Sequence, residues 1–82
     1  MSEDNKFYVY SKTGCGYCER LVEFMNEKGV EYHKFQLGED FTSEDFVTRF
    51  GTGTTFPQVV RGYEKIGGMK DTVRFLVSNK YV

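Results

Sequence analysis

The chain has 82 residues and a formal net charge of −1, which predicts one domain spanning residues 1–82 and disfavours nucleic acid as a partner. No apolar run approaches the ~20 residues that a membrane span needs, so we expect no membrane association. The first five residues are polar and lack a secretion-signal pattern, and the two cysteines are too few for a disulfide-stapled secreted domain. We therefore expect a reducing, cytoplasmic location.

The first part of the chain predicts a βαβ unit. Residues 6–10 are aromatic and β-branched, as in a strand that is buried on both faces, and residues 11–14 predict a loop. A helix is expected over residues 15–28, ended by Gly29, and a second strand over residues 30–37. The crossover should be right-handed and the two strands parallel. The inward side of the helix is predicted to be Cys18, Leu21, Val22 and Met25.

The second part of the chain predicts a short helix, a hairpin and a final helix. Thr42 or Ser43 can cap the short helix, and Gly51 ends it. Residues 56–61 and 63–66 predict two strands that turn near Gly62, and residues 70–79 predict the last helix. The order β-α-β-α-β-β-α is an α/β fold with a small mixed sheet flanked by helices. The apolar faces are expected to be Phe46, Val47 and Phe50 in the short helix and Val73, Leu76 and Val77 in the last.

The segment Cys15-Gly-Tyr-Cys18 lies where the first strand passes into the first helix, the context of a redox-active cysteine pair. Residues three apart on a helix share a face at about 5–6 Å, which suits a disulfide. The positive end of the helix dipole stabilises an anion, so it should stabilise the Cys15 thiolate relative to the thiol. Lys12 adds positive potential nearby. Cys18 lies one turn further in and should be more buried. We therefore predict that Cys15 is the nucleophile and Cys18 the resolving thiol.

Two other interpretations of the cysteine pair stay open at this point. Zinc normally takes four ligands, and beyond the two cysteines only His33 remains, so two chains would have to share a site. His33 is more typical of a partly exposed strand residue. A purely structural disulfide would close a loop of two intervening residues, which constrains the unfolded chain very little. Redox chemistry is the favoured interpretation.

Four features together resemble the glutaredoxin family over nearly the whole chain. They are Lys12-Thr-Gly-Cys-Gly-Tyr-Cys18, Thr55-Phe-Pro-Gln-Val59, Ile66-Gly-Gly68 and Asp71, in this order and spacing. The resemblance implies a thioredoxin fold with a four-stranded mixed sheet and an enzyme of the dithiol–disulfide oxidoreductase class. It also implies that glutathione is the co-substrate and that Pro57 follows a cis peptide bond.

The resemblance further implies a glutathione site. Lys12 and Gln58 would face the glycine carboxylate, Tyr17 would flank the sulfur, and the Phe56 backbone would pair with the cysteinyl part. The helix start after Gly68 would receive the γ-glutamyl carboxylate, and Asp71 would meet its amine. Both ligand roles have an alternative: Lys12 is then a solvated loop lysine, and Asp71 then only favours the start of the last helix. The implied binding residues are Lys12, Tyr17, Thr55, Phe56, Pro57, Gln58, Gly68, Met69, Lys70 and Asp71.

Three features of the sequence depart from the family pattern. Gly16 stands where many dithiol members have Pro, and Phe56 stands where a smaller Val is usual. Met69 and Lys70 replace a Cys followed by Asp or Ser, which places a positive charge close to the γ-glutamyl end. These substitutions are expected to affect the acidity of the thiol and the width of the groove.

Two other functions are weighed against glutathione-dependent reduction. A thioredoxin-like protein reduced by a flavoprotein reductase is disfavoured, because no Trp stands just before the cysteines and the chain carries Ile66-Gly-Gly68 with Asp71. Gly16 permits a [2Fe–2S] carrier, in which Cys15 of two subunits and two glutathione thiols would ligate the cluster. Otherwise we expect a monomer that holds no metal. Its partners would be glutathione and disulfide-bearing proteins, with ribonucleotide reductase as one client by family analogy.

Overall fold

The computed structural model describes residues 6–82, and the prediction about a secretion signal in residues 1–5 lies outside this range. Seven elements follow in the predicted order: β1 Phe7–Ser11, α1 Gly16–Glu27, β2 Tyr32–Gln36, α2 Ser43–Phe50, β3 Gln58–Arg61, β4 Glu64–Gly67 and α3 Met69–Ser78. Within this range no helix is long and apolar enough to span a membrane.

The four strands form one mixed sheet in the order β2-β1-β3-β4, so β1 is an inner strand as predicted. β1 and β2 run parallel, with Phe7 opposite Tyr32 and Ser11 opposite Gln36. β3 is antiparallel to both β1 and β4, and the β3–β4 turn passes through Gly62 at φ +60°. Because β1 and β2 are parallel, their carboxyl ends meet at one edge of the sheet.

The two faces of the sheet are packed by different kinds of residue. Successive residues of a strand point to opposite faces, so Phe7 and Val9 lie on one face of β1 and Tyr8 and Tyr10 on the other. On the first face, which we call the aliphatic face, α1 and α3 cover the sheet. Its buried residues are Phe7, Val9, Leu21, Met25, Val30, Val59 and Leu76. On the second face lies an aromatic cluster formed by Tyr10, Phe41, Phe46, Phe50 and Phe56.

Two sequence predictions about burial and one about an element boundary are wrong. Val47 of α2 and Val77 of α3 are 43% and 57% exposed, although both were expected to face inward. The inward pairs are Phe46 with Phe50 and Thr72 with Leu76, because residues four apart lie on one helix face and each valine is rotated away from it. Ser11, expected in a loop, is the last residue of β1 and is buried.

Candidate active site

Cys15 and Cys18 form a disulfide at the start of α1, with their Cα atoms 5.2 Å apart. Cys15 is the N-cap of the helix and has extended backbone geometry, and its Sγ accepts a hydrogen bond from the Cys18 backbone N–H at 3.1 Å. Both cysteines are buried, Cys18 more deeply than Cys15, as predicted. The Cys15 sulfur therefore occupies the position where a helix start stabilises negative charge.

Polar side chains tie the loop before Cys15 to strand β2. The buried Ser11 hydroxyl lies 3.2 Å from both the Phe35 carbonyl and Gln36 Oε1, which accept from it. Gln36 Nε2 in turn donates to Thr13 Oγ1 at 2.8 Å. These contacts fix the position of the loop between β1 and α1. The sequence analysis missed them, although polar residues at the ends of two parallel strands were a signal for such a network.

A groove of about 810 Å³ gathers eight of the ten predicted glutathione-binding residues. It begins at Tyr17, two residues after Cys15, and passes Phe56 and Pro57 to reach the first turn of α3. The Phe56–Pro57 peptide bond is cis, as the resemblance implies. The groove also continues along α3, beyond the predicted site. The predicted residues lining it are Tyr17, Thr55, Phe56, Pro57, Gly68, Met69, Lys70 and Asp71.

The three helices differ in how their first N–H groups are satisfied. In α1 the cap is the Cys15 sulfur, and in α2 Thr42 and Asp45 form a reciprocal capping box with hydrogen bonds of 3.0 and 3.1 Å. The N-cap of α3 is Gly68, which has no side chain to accept a hydrogen bond. The N–H groups at the start of α3 therefore face the groove without a side-chain cap.

Gly67 allows the Asp71 side chain to lie against the backbone. Gly67 has φ +126°, and a Cβ placed there would lie 2.8 Å from the Asp71 Cβ and 3.0 Å from its Cγ. Both the dihedral angle and this close approach require glycine. The Asp71 carboxylate thus lies against Gly67 at the start of α3, and its contact with a γ-glutamyl amine stays a prediction.

Lys12 and Gln58 flank the groove but do not line it. The Lys12 Nζ lies 5.3 Å from the centroid of the Phe56 ring, and Phe56 itself stacks on Phe46 with centroids 4.2 Å apart. Gln58 Nε2 donates to the Thr55 carbonyl at 2.9 Å. Their contact with a glycine carboxylate stays a prediction. The Lys12–Phe56 contact gave no sequence signal, because the two residues are far apart in the chain.

Other depressions on the surface are less suited to the chemistry. A cleft of about 920 Å³ lies beside Phe7 and Tyr32, at the amino ends of β1 and β2 and hence opposite the cysteine pair. None of the predicted site residues lines it. A smaller depression of about 510 Å³ includes Lys12 and Cys18 and adjoins the Ser11–Gln36 network. We therefore take the groove along Pro57 and α3 as the candidate substrate site.

Among residues 6–82, no three His, Cys, Asp or Glu side chains come together in a group that could hold a metal ion. His33 is exposed on β2, and its ring stacks on Tyr8 with centroids 5.5 Å apart. This agrees with the interpretation of His33 as a strand residue.

Comparison with known proteins gives a consistent result. The glutaredoxin family model matches residues 8–66. Glutaredoxin 3 of Escherichia coli K12 is 33% identical over 64 residues, which cover 77% of this chain and 76% of that protein. The hybrid peroxiredoxin hyPrx5 of Haemophilus influenzae is 31% identical over 82% of this chain but only 27% of its own length. The match to human glutaredoxin-3, at 32% identity, covers 79% of this chain and 19% of that protein.

Solved structures show the same similarity. The crystal structure of the buckwheat glutaredoxin–glutathione complex superimposes with a TM-score of 0.72 at 28% identity, covering 96% of this chain and 74% of that one. The three-helix, four-stranded arrangement is therefore a thioredoxin-like fold. The chain spans about a quarter or less of the hybrid peroxiredoxin and human glutaredoxin-3, and most of the bacterial glutaredoxin.

Proposed function

The chain belongs to the glutaredoxin family, and from this premise we propose that it is a glutathione-dependent reductase of glutathione mixed disulfides and protein disulfides. Family and fold support thiol–disulfide oxidoreductase chemistry in general. The observation that carries the proposed chemistry is the hydrogen bond from the Cys18 N–H to the Cys15 Sγ at the start of α1, and the groove supports glutathione as the reductant. This donor and the helix dipole favour a thiolate at Cys15 once the disulfide is reduced.

The proposed reaction with a protein disulfide proceeds by two exchanges. The Cys15 thiolate attacks one sulfur of the substrate disulfide; the Cys15–substrate S–S bond forms, the substrate S–S bond breaks, and one substrate thiolate leaves and takes a proton from water. The Cys18 thiolate then attacks the Cys15 sulfur, which forms the Cys15–Cys18 disulfide and releases the second substrate thiol. The two electrons that reduced the substrate came from the cysteine pair.

Glutathione restores the dithiol in the same way. One glutathione thiolate attacks the Cys15–Cys18 disulfide and forms a mixed disulfide with Cys15, and Cys18 leaves as a thiol. A second glutathione attacks the glutathione sulfur of this mixed disulfide. The products are glutathione disulfide and the Cys15 thiolate, so two glutathione molecules supply the two electrons.

The groove supports glutathione as this co-substrate. The tripeptide carries two carboxylates and one amine, and the groove offers cations, uncapped N–H groups and one held carboxylate. We assign the γ-glutamyl carboxylate to the start of α3 after Gly68, and its amine to Asp71. Lys12, held over Phe56, supplies positive charge for the glycine carboxylate. Tyr17, Thr55 and Pro57 would enclose the cysteinyl part.

Clients, location and assembly belong to the same proposal. Disulfide-bearing proteins, with ribonucleotide reductase as one candidate, would be reduced by a monomer in a reducing cytoplasm. We do not propose the [2Fe–2S] carrier function, because no observation on residues 6–82 favours it over disulfide reduction. Gly16 leaves open space where a side chain would stand, which suits either role and does not distinguish them.

The test is glutathione-coupled reduction of a small glutathione mixed disulfide by the unaltered protein and by two variants. We expect Cys15→Ser to lose activity by at least about a thousandfold, since the nucleophile is removed, and Cys18→Ser to keep it. An inactive unaltered protein would overturn the glutathione assignment. Turnover with a flavoprotein thioredoxin reductase, or a brown dimer after anaerobic purification, would then identify one of the other two functions.

A further inference from the structure

The groove extends along α3 beyond the part assigned to glutathione. Val73, Arg74, Val77 and Ser78 line it after Asp71. From Asp71 to Ser78 a helix rises about 10 Å, enough for roughly three residues of extended chain. In the proposed arrangement glutathione contacts only the first turn of α3, so the tripeptide leaves this extension unfilled.

The extension is apolar along its floor and cationic at its rim. Val77 is 57% exposed and Val73 is half-buried, so a ligand there would cover apolar side chains. Lys70 and Arg74 are exposed beside them, and Asp71 carries the one carboxylate among the described residues that line the groove. Near the Tyr17 end of the groove, the Arg20 guanidinium lies 5.8 Å from the centroid of the Tyr17 ring. Lys70 and Arg74 against Asp71 leave a net positive charge along the part of the groove that α3 forms.

We propose that this extension docks an extended segment of a client protein that carries acidic and apolar residues beside its reactive cysteine. The inference rests on the proposed function and names the class of client. Two features support it: the extension belongs to the groove whose other end, at Tyr17, lies two residues from Cys15, and the cationic Lys70 and Arg74 along it complement an acidic segment. Apart from Tyr17 and Val77, the strongly exposed large apolar side chains among the described residues do not line the groove; they are Val47, Tyr63, Tyr81 and Val82.

The experiment compares two symmetric peptide disulfides of equal length. One peptide has Glu and Leu residues on both sides of its cysteine, and in the other each Glu is replaced by Lys. We expect the unaltered protein to reduce the acidic peptide with a kcat/KM at least about fivefold higher, and the difference to shrink at high salt.

Variants at the extension locate the effect. Arg74→Glu should remove or reverse the preference for the acidic peptide, and Val77→Asp should lower kcat/KM for the acidic peptide severalfold. Both should leave reduction of the small glutathione mixed disulfide within about twofold of the unaltered protein. Two variants serve as matched controls. Lys28→Glu reverses a charge at the end of α1 that is far from the cysteines, and Val47→Asp replaces an exposed valine on α2. Neither should alter the reduction of the acidic peptide or of the small glutathione mixed disulfide.

The outcomes distinguish failure of the docking proposal from failure of the proposed reductase function. No peptide preference, or no response to Arg74→Glu and Val77→Asp while the small substrate is reduced normally, overturns the docking proposal alone. If the small substrate is not reduced at all, the proposed function itself fails. If the unaltered protein is a dimer that Val77→Asp converts to a monomer, the extension is an interface between copies of this chain, and the docking proposal is also wrong.

Discussion

The two faces of the sheet are packed by different chemistry. On the aliphatic face, Val9, Leu21, Met25, Val59 and Leu76 are completely buried between the sheet and helices α1 and α3. On the other face, Phe41 and Phe46 are buried but Tyr10, Phe50 and Phe56 are only partly buried, and the cationic groups of Lys12, Arg49 and Lys65 lie over rings of this aromatic cluster at 5.3 to 5.8 Å. The aliphatic face thus buries its central side chains completely, whereas part of the rings on the aromatic face stays in contact with solvent.

We expect the two faces to have different roles: the aliphatic face stabilises the fold, and the aromatic cluster supports the substrate site. The free energy of burial scales with the apolar area removed from water, so the aliphatic face should supply most of the stability. The aromatic cluster reaches the substrate groove through Phe56, whose ring stacks on Phe46 and contacts the Lys12 ammonium. We infer that changes to the aliphatic face affect the free energy of unfolding first, and changes at Phe56 affect substrate binding first.

The largest expected effect is on stability. Leu76→Ala should lower the free energy of unfolding by about 3 kcal/mol, because it leaves a cavity in a fully buried site. Phe50→Ala, at a partly buried position of the aromatic cluster, should cost about half as much. Urea denaturation of both variants measures this. An equal or larger loss for Phe50→Ala would contradict the division between the faces.

A smaller change in the free energy of unfolding, this time an increase, is expected when Thr72, the polar residue on the inner side of α3, is replaced. Thr72 is fully buried, and within residues 6–82 its hydroxyl has no hydrogen-bond partner. Thr72→Val should therefore raise the free energy of unfolding by about 1 kcal/mol. Thr54→Val is the matched control: the Thr54 hydroxyl donates to the Phe50 carbonyl at 2.8 Å, so its loss should destabilise. Destabilisation by Thr72→Val would show that the buried hydroxyl is bonded after all.

The smallest expected effect concerns substrate binding. Phe56→Leu removes the ring beneath the Lys12 ammonium, a contact worth about 0.5–1 kcal/mol. We expect KM for a small glutathione mixed disulfide to rise about threefold while kcat stays unchanged. Phe50→Leu alters the same cluster without touching Lys12 and should leave KM as it is. Equal changes in the two variants would mean that the cluster acts only through stability.

Local patterns in the sequence predicted most of the fold. The strand–helix alternation, the glycines after helices and the capping residue Thr42 fixed the order of elements and their bounds to within about two residues. The family resemblance added the cis bond before Pro57, which composition alone would not indicate. The exposure of Val47 and Val77 was not foreseen, because short helices with several apolar residues permit more than one inward face.

The site was predicted where its residues stand in contiguous motifs. Cys15, Pro57 and Asp71 each belong to such a segment. The contacts between segments had no local signature: the Lys12 ammonium over the Phe56 ring, and the Gln36 amide bonded to Thr13, depend on how distant elements pack. The extension of the groove past Asp71 depends likewise on which side of α3 faces solvent.

The central claim, that Cys15 is the thiolate nucleophile, can be tested by alkylating the reduced protein with iodoacetamide at about pH 6 and locating the adduct by mass spectrometry. The N–H of Cys18 and the start of α1 favour a thiolate at Cys15, so Cys15 should be alkylated at least about tenfold faster than the more deeply buried Cys18. Faster or equal alkylation of Cys18 would contradict the claim.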